Sequence, residues 1–318
     1  MTNAATEFLS SLDQPSQLAV AKMRFDDSAR MDWHNIPKES RKGLQYREMS
    51  GEQRENCLGL LKTALSESGF QQVVNIMSLE INLKEGEKDK PSAHLRDHER
   101  FYLTIFGDPK DQGIWGWSFE GHHLSLNFVI RDGEVVSCTP LFMGANPATV
   151  KTFVAGGPRV GTRTLAAEEQ LGFDLLNALD ESQLKIALID TSSPADYRFA
   201  GLPQVPESSA RGLPAEMMNE LQKKKLVALL ESYYRRLTPD LSRRKLETLK
   251  GEGLERIHFS WAGPTLPSVG HYYRIEGPSI LIEFVNNQTD PEGNAANHIH
   301  TIWRDPANDF GQKMLRDE

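Results

Sequence analysis

Segments with strand-forming character fall into two blocks that a long helical stretch separates. Residues 101–140 and 256–305 are rich in aromatic and β-branched side chains, whereas residues 1–100 and 164–250 carry apolar residues at helical spacing. This order predicts an α+β fold in which distant segments complete one mixed or mostly antiparallel sheet. The helices of the N-terminal and central blocks would pack around that sheet. We expect residues 1–318 to form a single integrated domain.

Local signals place the ends of several helices. Ser50 and Gln53 fit a capping box, in which each side chain satisfies a free backbone N–H group at the helix start. Gly69 follows leucines at helical spacing and predicts the end of that helix. Pro214 suits the first turn of a later helix that would run to about Leu237. Local sequence signals therefore predict three helix ends, at Ser50, Gly69 and Pro214.

Turn-forming residues divide the remaining sequence. Residues 115–130 predict a strand region in which Gly121 could mark a bend or a bulge. Asp132 and Gly133 predict a tight hairpin turn, because both residues tolerate the positive φ that such a turn requires. The segment Pro194–Pro214 is rich in proline, glycine and serine, and predicts a long mobile loop.

The charge balance bears on which partners the chain can have. Its net charge is −8 at pH 7, and the basic residues are scattered, whereas nucleic-acid binding normally needs a concentrated positive surface. The N-terminus lacks the basic start and apolar run of a signal peptide, and no apolar stretch approaches the ~20 residues that span a bilayer. We expect a cytoplasmic protein that binds neither nucleic acid nor membrane. Its oligomeric state is left open.

A metal site in this chain would have to use ligands other than thiolates. Cys57 and Cys138 are the only two cysteines, and they provide neither a disulfide framework nor a thiolate metal motif. A chain of 318 residues can bury a substantial core without a structural metal. A bound metal would therefore serve function rather than hold the fold together.

Two of the nine histidines stand two positions apart in a predicted strand. His298 and His300 should project from the same face, because side chains alternate between the faces of a sheet. This is a suitable geometry for two imidazole ligands on one metal ion. The pair is the starting point for a candidate site.

A second pair of histidines, His122 and His123, follows Gly121. On a regular strand, His123 would lie on the more polar face and would be the better ligand, whereas His122 would be a hydrogen-bonded core residue. A bulge at Gly121 would break this alternation and let His122 and Glu120 turn inward. Both alternatives stay open at the level of sequence.

If the two histidine pairs meet, imidazoles and a carboxylate make a plausible metal site. Glu120 and Glu283 are the candidate carboxylates. Imidazole ligands suit a divalent transition metal such as zinc, iron or copper, whereas magnesium would want more oxygen ligands. The alternative is a metal-free polar network in which the histidines bond to carboxylates and ordered water.

Arg304 shares the strand face of His298 and His300. It could hold a substrate carboxylate through two parallel hydrogen bonds. The alternative is a salt bridge with Asp305 or Asp309 at the end of the strand. Trp115 and Trp117, which share a face of an earlier strand, could line an apolar pocket or pack in the core.

Five long segments resemble the bacterial and fungal family called domain of unknown function 3500. They are Phe101–Gly107, Trp115–Asn127, Gly144–Pro147, His271–Pro278 and Asn297–Pro306. The resemblance spans nearly the whole chain and implies one integrated domain. It carries over no catalytic residue, since the family was defined without an assigned activity.

The chain departs from the family pattern in three places. Phe284–Asn286 follows Glu283 where relatives often carry an acid, and Asn287–Ala296 lengthens the loop before His298. Many relatives begin with an export signal, which this sequence lacks. The first two departures leave Glu283 and Glu120 as candidate carboxylate ligands.

These observations favour a metal-dependent enzyme that acts on a small polar or carboxylate-bearing molecule. In a hydrolytic version Glu120 is the general base and Arg304 orients the substrate. An oxidative version with iron or copper would use the same ligands. The alternative class is a non-catalytic small-molecule binding protein with a structural histidine network. The candidate metal ligands are His122, His123, His298 and His300.

Overall fold

A computed structural model describes residues 1–206 and 209–316 of the chain. Glu207 and Ser208, which belong to the loop predicted over Pro194–Pro214, lie outside the described residues. Among the described residues, no helix combines the length and the apolar character that crossing a bilayer requires.

Helices in the described residues come mainly from the N-terminal and central blocks, as the sequence predicts. They are α1 Thr2–Ser10, α2 Pro15–Ala21, α3 Gly51–Ala64, α4 Glu67–Gly86, α5 Ala166–Leu176, α6 Glu181–Ala187, α7 Glu220–Tyr234, α8 Pro239–Glu252 and α9 Gln312–Arg316.

The strands of the described residues belong to one sheet. They are β1 Lys22–Met23, β2 Leu44–Gln45, β3 Tyr102–Phe106, β4 Ile114–Gly121, β5 Leu124–Arg131, β6 Glu134–Ser137, β7 Leu141–Ala145, β8 Leu188–Asp190, β9 Leu213–Pro214, β10 His258–Ala262, β11 His271–Gly277, β12 Ile280–Gln288 and β13 His298–Arg304.

The strand order is β1-β3-β4-β5-β7-β13-β12-β11-β10-β8, with β2 on β3, β6 on β5 and β9 on β10. The pairs β1/β3 and β10/β8 are parallel and the other pairs are antiparallel. The α+β fold with a mixed sheet is therefore confirmed. Strands β7 and β13 join the two blocks of strands, and their pairing is called the seam below.

The two faces of β13 meet different surroundings. Ile299 and Trp303 belong to the large hydrophobic core, which also contains buried residues of the helices. Ile302, on the opposite face with His298 and His300, packs in a smaller cluster of Trp33, Phe142, Tyr197, Ile302 and Phe310. The histidines therefore lie on the side of the sheet that loops cover.

Two of the predicted helix boundaries are wrong. The Ser50–Gln53 capping box is present, but α3 ends at Ala64 and Gly69 lies in the first turn of α4. A Cβ atom on Gly69 would stand 2.1 Å from the carbonyl oxygen of Arg236, so glycine serves close backbone packing there rather than a helix end. Pro214 lies in β9, and α7 instead begins after the capping residue Asn219.

The strand region predicted over residues 115–130 is two strands. His122 and His123 form a two-residue turn between β4 and β5, and Gly121 pairs with Leu124 across it. The sequence favoured a continuous or bulged strand because neither histidine is a usual turn residue. The next hairpin is as predicted, since Asp132 and Gly133 have φ values of 50° and 79°.

Candidate metal centre

The turn between β4 and β5 fixes the position of His123. Its φ is 61°, a left-handed conformation that costs a non-glycine residue about 1–2 kcal/mol. Two backbone hydrogen bonds hold it: its N–H donates to the carbonyl of Asn35 at 2.9 Å, and its carbonyl accepts from the N–H of Gly144 at 2.8 Å. A strained backbone that is held on both sides is typical of a functional position.

The imidazoles of His123, His298 and His300 converge. The Nε2 atom of His298 lies 2.9 Å from Nε2 of His123 and 2.9 Å from Nε2 of His300. Each of the three rings therefore contributes one nitrogen to a group of potential ligand atoms that all lie within 4.8 Å of one another. His123 and His300 are buried, and His298 is partly exposed.

Gly144 makes room for this convergence. It pairs with His300 across the seam between β7 and β13. A Cβ atom at this position would lie 3.0 Å from Cδ2 of His123 and 3.1 Å from Cδ2 of His300. A larger residue would push the two rings apart, so the absence of a side chain is part of the site.

Asp196 orients the ring of His300. Its Oδ1 accepts a hydrogen bond from Nδ1 of His300 at 2.8 Å. A carboxylate can only accept, so Nδ1 carries the proton and Nε2 of the neutral ring keeps its lone pair. Carboxylates fix metal-binding histidines in this way in many metalloproteins.

The amide of Asn146 faces Nδ1 of His298 at 3.3 Å. In the orientation that places Nδ2 towards the ring, Nδ1 of His298 accepts, and Nε2 carries the proton. Exchange of the amide oxygen and nitrogen would let His298 donate from Nδ1 and free its Nε2 lone pair. The buried Oδ1 of Asn146 has no hydrogen-bond partner among the described residues, and the exchange would pair it with Nδ1 of His298 while Nδ2 takes its present position.

Burial keeps the rings of His123 and His298 uncharged. Burial, with smaller contributions from the neighbouring His300 and Arg96, lowers the pKa of His298 to about 2. Burial also lowers the pKa of His123 well below its ordinary value. Neutral imidazoles are the form that binds metal ions, so protons do not compete for these two rings near neutral pH.

His122 does not join the three converging nitrogens. Its ring stacks on that of His123, with ring centres 3.7 Å apart. Its Nδ1 lies 2.5 Å from Oε1 of Glu80 and 3.0 Å from Nη1 of Arg96. Burial raises the pKa of Glu80 and lowers that of His122, which favours the uncharged form of this acid–base pair.

Both predicted carboxylates have other partners. Oε1 of Glu120 accepts from the Lys42 ammonium at 2.7 Å, and Arg41 lies 3.9 Å from its other oxygen. Glu283 is fully buried, with Arg198 at 3.0 Å and the Tyr272 hydroxyl at 2.7 Å. Among the described residues, neither belongs to the groups of ligand atoms that lie within 4.8 Å of one another.

Arg304 forms the salt bridge with Asp309 that the sequence left as an alternative. Its Nε lies 2.7 Å from Oδ2 of Asp309, and both side chains are 1% exposed. Nη2 and Nη1 donate to the carbonyls of Leu202 at 2.9 Å and Phe199 at 3.3 Å. This arrangement favours a structural role over contact with a substrate.

The pair of tryptophans on β4 packs in the core. Trp115 and Trp117 are buried in the large cluster that contains the helices, and Trp117 stacks on Phe128 with ring centres 4.5 Å apart. They belong to a different cluster from the aromatic residues Phe142 and Tyr197, which lie beside His300.

Sequence reasoning missed the residues that support the ligands. Gly144 and Asn146 stand in the family-like segment Gly144–Pro147, to which no role was assigned, and Asp196 stands in the predicted long loop. Glu80 lies on a helix face that showed only apolar periodicity. The family resemblance was the one signal available for Gly144 and Asn146.

The fold and this centre define the chain as an α+β protein with a buried three-histidine cluster at the junction of two strand blocks. It belongs to the family described as Protein of unknown function (DUF3500), whose sequence model matches residues 1–312. The family resemblance of its motifs is thereby confirmed. No curated protein and no solved structure matches the chain.

Proposed function

We propose that this protein is a metal-dependent enzyme acting on a small polar or carboxylate-bearing molecule. His123, His298 and His300 would hold one zinc, iron or copper ion through their Nε2 atoms. The observation that carries the proposal is the convergence of these nitrogens, at 2.9 Å in two of the three pairs. Asp196 behind His300 adds the carboxylate partner that a metal-bound imidazole usually has.

The spacing of the nitrogens suits a shared ion. Atoms 2.9 Å apart subtend about 90° at an ion that is about 2.0–2.1 Å from each of them. Three protein ligands would leave at least one further position of an ion for water or substrate. Such an ion could lower the pKa of bound water to about 7 or polarise a substrate carbonyl.

The metal-free alternative rests on hydrogen bonds among the same rings. A neutral imidazole carries one N–H, so Nε2 of His298 can donate to its two neighbours only by sharing a single proton. A metal ion would instead take one lone pair from each ring. The two arrangements differ in which atom of the Asn146 amide faces Nδ1 of His298: Nδ2 in the metal-free arrangement and Oδ1 in the metal-bound one.

The proton acceptor of the hydrolytic version needs a new assignment. Glu120, the residue expected from the sequence, is held by Lys42. The neighbouring pair of Glu80 and His122, whose ring lies directly against the ligand His123, is not a ready acceptor either, because burial favours its uncharged form. Arg304 is left out of the mechanism, since Asp309 and two carbonyls occupy its donors.

Replacement of Asp196 by alanine is expected to weaken metal binding by about 10–100-fold, because His300 loses the partner that orients its ring. The measurement is a competition titration of zinc against a chromophoric chelator. The exposed residue Asp13 offers a control with the same change of charge, and Asp13→Ala should retain the affinity of the unmodified protein. Equal affinities for the Asp196 variant and the control would remove Asp196 from the site.

The activity itself is tested with metal-loaded and metal-free protein in parallel. Hydrolysis of small carboxylate-bearing esters and amides is followed by acid release, and oxidation of the corresponding acids by oxygen uptake. We expect turnover in one assay, only with metal, and none in the His298→Ala/His300→Ala variant. No turnover in either assay by the fully loaded protein would leave the non-catalytic binding protein as the better interpretation.

A further inference from the structure

A second cavity lies at the end of the sheet where β12 ends and β13 begins. Its volume is about 310 Å³, which is in the range of small-molecule pockets. Parts of three loops, the helix α5 and Asn286 of β12 surround it. The three converging histidines do not line it, so it is separate from the candidate metal centre.

The cavity has a buried polar wall. Glu169 and Asn286 both line it, and Nδ2 of Asn286 donates to Oε1 of Glu169 at 2.8 Å. Asn286 is 1% exposed and Glu169 keeps 15% of its side chain exposed. A carboxylate that reaches a cavity and is anchored from behind can accept a hydrogen bond from a ligand.

His271 lies behind this wall, in contact with Glu169, and does not itself line the cavity. Its Nδ1 donates to the carbonyl of Val269 at 2.8 Å, so Nε2 of the neutral ring is an acceptor. That buried Nε2 lies 3.5 Å from Oε1 of Glu169 and has no hydrogen-bond partner among the described residues. His271 therefore donates nothing to Glu169, whose carboxylate accepts from Asn286 and Arg163 and can accept further from an amine or hydroxyl group in the cavity.

The rim of the cavity is positively charged. Lys151 and Arg163 line it, and Glu169 is the one acid among the described lining residues. Nη2 of Arg163 donates to Oε2 of Glu169 at 2.6 Å, and Nζ of Lys151 donates to Asn294 at 3.0 Å. Each cation has further N–H groups that could bind an anion.

Hydrogen bonds fix the loops around the cavity. Asn297 accepts from the N–H of Thr149 at 2.8 Å and donates to the Thr149 carbonyl at 3.0 Å. Two lining residues, Ser268 and Ala296, have positive φ values of 65° and 46°. A cavity whose walls are already ordered loses little entropy when a ligand binds.

We propose that this cavity binds a small amino or hydroxy acid. The ligand's carboxylate would contact Arg163 and Lys151, and its amine or hydroxyl group would donate to Glu169. The site does not depend on the metal. It adjoins the candidate centre through Asn286, whose Oδ1 accepts from the backbone N–H of His298 at 3.1 Å.

Isothermal titration calorimetry with four probes tests the proposal: glycine, glycolate, acetate and ethanolamine. Glycine or glycolate should bind at least tenfold more tightly than acetate, which lacks the donor, and than ethanolamine, which lacks the carboxylate. Lys151→Ala and Arg163→Gln should each weaken binding by about tenfold, the effect of losing roughly 1.4 kcal/mol. Lys224→Ala, an exposed change on α7, should leave it unchanged.

A second variant separates this proposal from the metal hypothesis. The His298→Ala/His300→Ala protein should keep its affinity for the preferred acid, because neither ring lines the cavity. Circular dichroism would establish that each variant folds. Absence of binding to the unmodified protein up to on the order of 10 mM, or equal binding by the Lys151, Arg163 and Lys224 variants, would overturn the proposal.

Discussion

The purified protein is expected to contain close to one transition-metal ion per chain, and the His298→Ala/His300→Ala variant is expected to contain almost none. The variant removes two of the three converging nitrogens, and a single imidazole on a buried surface does not retain an ion against buffer. Protons do not compete for His298 in the unmodified protein, because burial lowers the pKa of its ring to about 2. Elemental analysis by mass spectrometry of tag-free protein measures the ratio directly.

The chain offers a matched control for this experiment. His94 and His98 are surface histidines whose side chains are 58% and 54% exposed, and the double variant His94→Ala/His98→Ala removes the same two chemical groups. Its metal content should equal that of the unmodified protein. Absence of metal from the unmodified protein, even after reconstitution with zinc, ferrous and cupric ions, would make the three rings a hydrogen-bonded network.

Replacement of Arg304 by alanine is expected to lower the free energy of unfolding by about 3–5 kcal/mol. The change leaves the carboxylate of Asp309 buried without its partner, and such uncompensated buried charges have costs of this size. The carbonyls of Phe199 and Leu202 also lose a donor. Urea denaturation followed by circular dichroism gives the free energy, and its midpoint should fall without a large change of slope.

Two further variants serve as controls for the stability of Arg304→Ala. Arg244→Ala removes an arginine from an exposed pair with Glu134 and should change the stability little. The double replacement Arg304→Met/Asp309→Leu should recover much of the loss, since well-packed apolar residues can replace a buried ion pair. If Arg304→Ala is as stable as the unmodified protein, the guanidinium is free to take another role and the substrate-orienting hypothesis returns.

The sequence predicts correctly the part of the site that depends on the alternation of side chains between the two faces of a strand. His298 and His300 share a face because their strand, β13, is regular over His298–Arg304 and lies within the predicted strand block. Of its pair, His123 is the residue whose Nε2 lies beside that of His298, and a turn with positive φ, rather than a strand face, aims its ring. A two-residue turn made of histidines carries no local signal that would distinguish it from a strand.

The contacts that act across the chain were not predictable from local patterns. Asp196 reaches His300 from a loop, where no periodicity indicates the direction of a side chain. Glu120 is close in sequence to the ligands, yet Lys42, far away in the chain, determines what its carboxylate contacts. A long-range contact also explains the wrong helix boundary at Gly69. This glycine packs against the backbone of Arg236 and does not end a helix.

The seam between β7 and β13 has a consequence for how the chain acquires its centre. His123 belongs to the first block of strands and His298 to the second, with a sequence separation of 175 residues between them. Contacts of such long range form late in folding, because the chain must lose the conformational entropy of the intervening loop before those contacts can stabilise it. Neither half of the chain carries all three rings. Metal uptake would therefore mark the moment at which the two halves of the sheet have joined, and a partly folded chain would remain unloaded.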